Sequence, residues 1–84
     1  MRNYYDPQYR RWIASVKRRD GFSCKWPGCT TRRQRIQAHH IQTWADAPTL
    51  RYEKTNGITL CQNHHKMIQG QERGYSAWLR GLIK

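Results

Sequence analysis

Apolar positions along the chain change period several times, and each change marks an element. Tyr9, Trp12, Ile13 and Val16 recur every three or four residues, which predicts a basic amphipathic helix over about 7–20. Asp6 caps it, Pro7 takes the first helical position, and Asp20-Gly21 ends it. From Arg35 to Ile41 the period drops to two, with Ile36, Ala38 and His40 alternating against Arg35, Gln37 and His39, the pattern of a strand. Gly57 to Leu60 reads as a short second strand and Cys61 to about Gln69 as a short helix ending near Gly70. Trp78, Leu79, Leu82 and Ile83 predict a final amphipathic helix over about 75–83 that docks on the core.

Between the two strands, Gln42 to Thr55 has neither period and reads as a long surface loop joining an antiparallel pair. Trp44 and Tyr52 within it either close a small core or stack on a nucleic-acid base, and the core reading is preferred. Cys24-Lys25-Trp26-Pro27-Gly28-Cys29 is too short and too rich in turn formers for a regular element and reads as a metal knuckle. The expected class is α+β, one domain over residues 1–84, with no internal repeat, low-complexity tract or linker.

Length sharpens this picture. A chain of 84 residues leaves so much surface exposed that an apolar core alone is marginal, and a staple is expected. Three cysteines cannot all pair, and no signal-peptide apolar region follows the start, so zinc ligation is preferred to disulfides and a reducing, intracellular setting is expected. No apolar run approaches the roughly 18 residues that a membrane span requires.

Charge points to a partner. Lys and Arg outnumber Asp and Glu by 16 to 5, for a formal charge of +11, and eleven of the cations are Arg, whose planar fork matches phosphate oxygens. Ten of the sixteen precede residue 36, in the runs Arg10-Arg11, Lys17-Arg18-Arg19 and Arg32-Arg33-Gln34-Arg35. A polyanion is the expected partner. On the first helix, Arg10, Arg11, Lys17 and Arg18 are expected to project outward toward solvent or phosphate.

The metal-ligating residues fall into two sets. Structural zinc takes four ligands in a tetrahedron, commonly two from a knuckle and two from the first turn of a helix, and Cys24, Cys29, Cys61 and His64 provide that number. His64 and His65 lie three and four residues past Cys61, so both share its helix face, and spacing alone does not choose between them. The remaining imidazoles, with the doublet His39-His40, supply ligands for a second centre. Adjacent strand residues point to opposite faces, so the doublet can serve one site only where the strand ends, at the start of the long loop. A neutral imidazole, with a reference pKa of about 6.5, can take a proton from water near neutral pH. Asn56-Gly57 is a turn signal, and the Asn56 amide can also bond to the loop backbone and so fix a neighbouring imidazole.

Taken in order, the knuckle Cys24–Cys29, the doublet Ala38-His39-His40-Ile41, the turn Asn56-Gly57-Ile58-Thr59-Leu60-Cys61 and the segment Cys61-Gln62-Asn63-His64-His65-Lys66 resemble the HNH endonuclease family in its zinc-stabilised form. The resemblance spans roughly residues 18–70. It implies a small ββα-metal, treble-clef-like domain with flanking N- and C-terminal helices. It also implies a structural zinc on Cys24, Cys29, Cys61 and His64, although the family more often has cysteine at the position of His64. His39 and His65 would bind one divalent cation (Mg, Mn, Ni or Zn), His40 would act as general base, and Asn56 would order the loop. Arg32, Arg33, Arg35, Arg51 and Lys66 flank the expected site as candidate phosphate clamps.

The implied reaction is hydrolysis of DNA phosphodiesters, double-stranded DNA being the expected substrate, by nicking or double-strand cutting to leave 5′-phosphate and 3′-hydroxyl ends. Small stand-alone members are often phage proteins working beside a DNA-packaging motor, which implies the cytoplasm of a bacterial host and packaging or processing partners. The alternative is a zinc-stabilised DNA-binding module that never cleaves. Such a module needs the zinc ligands and the basic face, but not His39, His40, Asn56 and His65 together.

Overall fold

A computed structural model describes residues 5–83. Its elements run α1 (Pro7–Arg19), β1 (Ile36–His40), single 3-10 turns at Pro48–Leu50 and Lys54–Asn56, β2 (Gly57–Cys61), α2 (Gln62–Ile68) and α3 (Glu72–Gly81). The Asp6 carboxylate accepts the Gln8 N–H at 2.9 Å, and Pro7 sits in the first turn, where its missing N–H costs nothing. Lys17, Arg18 and Arg19 occupy the last turn, where the helix dipole favours positive charge. The helix stops at Asp20 because Gly21 and Phe22 both turn left-handed, with φ of 67° and 56°.

Strands β1 and β2 pair antiparallel, with Ile36 opposite Cys61 and His40 opposite Gly57. Side-chain alternation then puts Ala38 and His40 on one face with Gly57 and Thr59, and His39 on the other with Ile58 and Leu60. Helix α1 covers the first face through Tyr9, Trp12 and Val16, with Ile13, Ala38, Trp44 and Tyr52 packed around them. Trp44 and Tyr52 therefore close a small core, the preferred of their two expected roles. A Cβ at Gly57 would lie 2.5 Å from Val16 Cγ2 and 2.7 Å from Trp12 Cζ2, so this residue must lack a side chain for α1 to seat so closely. The second face carries the larger core, in which Ile41, Ile58, Leu60, Ile68 and Leu79 are buried beside Cys24 and Cys61.

The outer edge of β2 is occupied. The Thr59 N–H donates to Asp20 Oδ2 at 2.8 Å, and the Thr59 carbonyl accepts the Lys25 N–H at 2.9 Å. Asp20 is buried but paired, each carboxylate oxygen taking a 2.9 Å bond from Arg19, which also donates to the Lys54 and Gly57 carbonyls. A buried carboxylate must be compensated in this way. One cation of the N-terminal basic run is thus engaged inside the fold, where it pins the end of α1 to β2.

Two boundaries differ from expectation. Helix α3 starts at Glu72, three residues before the expected Tyr75, because Gly74 falls in the first turn, where it does not break a helix, and Glu72 favours the positive end of the dipole. It closes at Gly81, with Leu82 and Ile83 packing on the core beyond it; Lys84 lies outside the described residues. The loop between the strands is also less irregular than its sequence, since it holds both 3-10 turns. No helix among the described residues is long and apolar enough to cross a membrane.

Candidate functional site

The knuckle and the start of α2 bring together Cys24, Cys29, Cys61 and His64, whose candidate ligand atoms all lie within 4.8 Å of one another. Backbone bonds shape the turn: the Cys24 N–H donates to Thr31 O and the Cys29 N–H to Trp26 O, both at 2.9 Å. Cys29 Sγ is 3.9 Å from Cys61 Sγ, and His64 Nδ1 is 3.7 Å from Cys24 Sγ and 3.1 Å from Cys61 Sγ. Zinc–sulfur bonds of about 2.3 Å give a tetrahedron with edges of roughly 3.7 Å, so the set fits a four-coordinate ion. Trp26 stacks on His64 with 4.5 Å between ring centres and 5° between planes, which fixes the imidazole's orientation.

The choice that spacing left open is thereby made: His64 turns to the cysteines and His65 does not. Burial pushes the Cys24 thiol up to about 11, whereas the Thr31 hydroxyl, 3.4 Å from Cys29 Sγ, holds that thiol below its ordinary value. At neutral pH Cys24 without an ion keeps its proton, and metal binding must release it.

Across β1 lies an open cleft of 580 Å³, with β1 as its floor, Tyr9, Ile13 and Lys17 on the α1 side, and His65, Gln69 and Glu72 on the other. His39 and His40 both line it. They point to opposite faces of β1, yet both reach the cleft because it follows the strand edge that β2 does not pair, at the strand's last two residues. The His39 and His65 rings stand 5.3 Å apart between centres at 75°. Two imidazoles that each place a nitrogen about 2 Å from a shared ion have ring centres roughly 5 Å apart, so this spacing suits a common cation.

His40 is held differently. Its Nε2 is 2.8 Å from the Arg51 carbonyl oxygen. A carbonyl can only accept, so Nε2 carries the proton in the neutral ring and the lone pair is at Nδ1. The ring stacks on Trp12 at 4.0 Å and 11°, and Trp44 meets it edge-on at 5.6 Å and 85°. Trp12 is itself anchored through Nε1 to Glu53 O at 2.7 Å.

Asn56, only 2% exposed, stitches the loop shut. Its Oδ1 accepts the Gln42 N–H at 2.9 Å, and Nδ2 donates to Gln42 O at 3.1 Å and Leu50 O at 3.3 Å. This bonding of the amide to the loop backbone is what the sequence led us to expect, and it holds the segment that carries Arg51.

The five candidate phosphate clamps do not enter the cleft. Arg32, Arg33, Arg35 and Lys66 are exposed elsewhere, and Arg33 and Arg35 have left-handed backbones with φ of 63° and 58°. Arg51 props the loop, donating from Nε to Trp44 O at 2.8 Å with its guanidinium carbon 4.4 Å from the Trp44 ring centre. Sequence reasoning missed Lys17 and Glu72 as lining residues. Lys17 was legible: Tyr9, Ile13 and Lys17 recur every four residues and so share one helix face. No family model, curated protein or solved structure matches the chain.

Proposed function

We propose that this chain is a divalent-metal-dependent HNH endonuclease with a zinc-stabilised ββα-metal core, hydrolysing phosphodiester bonds of DNA by nicking or double-strand cutting. One observation carries the reading: His39 and His65, from β1 and α2, stand at ligand-pair spacing in the same cleft as His40, whose Nε2–H is held by a backbone carbonyl. A zinc-stabilised docking module has no use for that convergence.

His39 and His65 would hold the cation, which when bound supplies stabilisation of the charge that builds on the scissile phosphate and the departing 3′ oxygen. His40 receives a proton at Nδ1 from a water molecule. The oxygen of that water attacks phosphorus as the bond to the 3′ oxygen breaks, and the departing 3′ oxygen takes a proton from solvent, leaving 5′-phosphate and 3′-hydroxyl ends. The Arg51 carbonyl holds the tautomer this requires, and the Trp12 ring faces the imidazolium that forms. Asn56 keeps the loop, and with it that carbonyl, in place. Cys24, Cys29, Cys61 and His64 would hold a structural zinc remote from the reaction.

The test is incubation of supercoiled plasmid with the protein, with and without Mg, Mn or Ni. Metal-dependent conversion to open or linear circles, lost in His40→Ala while zinc content and DNA binding persist, is the expected result. Tight binding with no conversion in any metal would replace the enzyme by the docking module.

A further inference from the structure

We infer that Lys17 is the phosphate-binding cation of the cleft, holding the backbone of the bound strand against β1 on the α1 side, opposite Glu72. Among the described residues that line the cleft, Lys17 alone carries a permanent positive charge and Glu72 alone a negative one. Lys17 is half-buried, yet its ammonium has no ion pair or hydrogen bond among the described residues. Three of the five acids are committed elsewhere: Asp6 caps α1 and bonds Tyr52, Asp20 pairs with Arg19, and Asp46 pairs with Arg73. An uncompensated ammonium on the wall of a concave site acts through a medium less screening than bulk water, so it attracts an anion more strongly than an exposed cation does.

The bland alternative is that the Lys17 stem merely covers apolar surface beside Ile13 while its charge faces water. Position argues against it, since Lys17 shares one cleft with His39, His40 and His65. Arg32, Arg33 and Arg35 can neutralise phosphates along a duplex, but none lines the space where the reacting bond would sit. Glu72 gives the cleft polarity: it repels a phosphate from its own wall and directs it toward Lys17. The inference rests on the nuclease reading for what happens to that phosphate, but not for its binding.

The experiment compares wild type with Lys17→Met, which keeps the apolar stem, Lys17→Arg, which restores charge, Arg18→Met, an exposed cation of the same helix, and Glu72→Gln. Each zinc-loaded protein is titrated with a fluorescent 20-base-pair duplex without added divalent cation over a range of salt, and then assayed for plasmid nicking. Lys17→Met should weaken binding about fivefold, flatten the salt dependence by roughly 0.9 in log–log slope, and slow nicking more than Arg18→Met does. Lys17→Arg should recover both properties, and Glu72→Gln should tighten binding. Lys17→Met binding and nicking as wild type does, or losing no more than Arg18→Met, would overturn the inference. So would Lys17→Arg behaving like Lys17→Met, or Glu72→Gln leaving affinity unchanged. If wild type binds but never nicks, the nuclease reading fails while the salt slopes still decide the role of Lys17.

Discussion

His40 donates from Nε2 to the main-chain oxygen of Arg51 at 2.8 Å, so the tautomer of the cleft imidazole is set by the packing of a loop eleven residues on. That carbonyl is positioned by Arg51's own side chain, which bonds Trp44 O and lies over the Trp44 ring. Trp44 in turn meets His40 edge-on, closing a small circuit of contacts.

This circuit separates two roles for Arg51. A phosphate clamp needs only positive charge, whereas a loop prop needs the planar fork. Arg51→Lys should therefore fall nearly as far as Arg51→Ala, with nicking reduced roughly ten- to a hundredfold by misplacement of His40. The salt dependence of DNA binding should barely change. Recovery of nicking in Arg51→Lys would make Arg51 a clamp instead.

Asn56→Ala removes three bonds and leaves the Gln42 N–H and carbonyl without these partners in a part-buried setting, while the Leu50 carbonyl keeps the Glu53 N–H. With each unsatisfied group costing about 1–3 kcal/mol, less what water recovers, a loss of about 2–4 kcal/mol is expected. Denaturant unfolding measures it, and a change below about 1 kcal/mol would mean that the amide is not holding the loop.

Gly57→Ala places a methyl within 2.7 Å of both Val16 and Trp12. Helix α1 must shift, at about 1–3 kcal/mol by the usual scale of overpacking, and Trp12 moves with it. A lower unfolding midpoint with altered tryptophan fluorescence is expected; a neutral substitution would contradict the close seating of α1 on the sheet.

Zinc binding should release protons. Burial holds the Cys24 thiol up at about 11, so an ion displaces its proton at neutral pH, and zinc affinity rises with pH through that range. In metal-free protein the sign is the reverse: the stability from burying neutral Cys24 is fully present below the ordinary thiol value of 9.0 and is lost as pH rises through about 11. Zinc titration of metal-free protein in two buffers of different ionisation enthalpy counts the protons. Affinity independent of pH between 6 and 8 would remove the thiols from the site.

Much of this arrangement was legible from residues because periodicity reports burial directly. The doublet at the end of β1, the helix cap at Asp6 and the four Cys/His positions all follow local rules of spacing. Other features depend on partners distant in the chain. Whether His64 or His65 faced the cysteines depended on the rotation of one helical turn against a knuckle more than thirty residues earlier. Arg51 was expected among the candidate phosphate clamps because Trp44, seven residues away, packs beneath it only once the loop is folded. Lys17 was expected to project outward toward solvent or phosphate, and its place in the cleft was missed because the helix stripe was drawn through apolar residues alone, although it lies four residues past Ile13 on the same side.

We propose that His39 and His65 share one exchangeable cation beside His40. Calorimetric titration of Mn²⁺ or Ni²⁺ into zinc-loaded protein decides this. We expect a single added site that disappears in His39→Ala and in His65→Ala but survives in His40→Ala; no added site, or one that persists without His39, would contradict it.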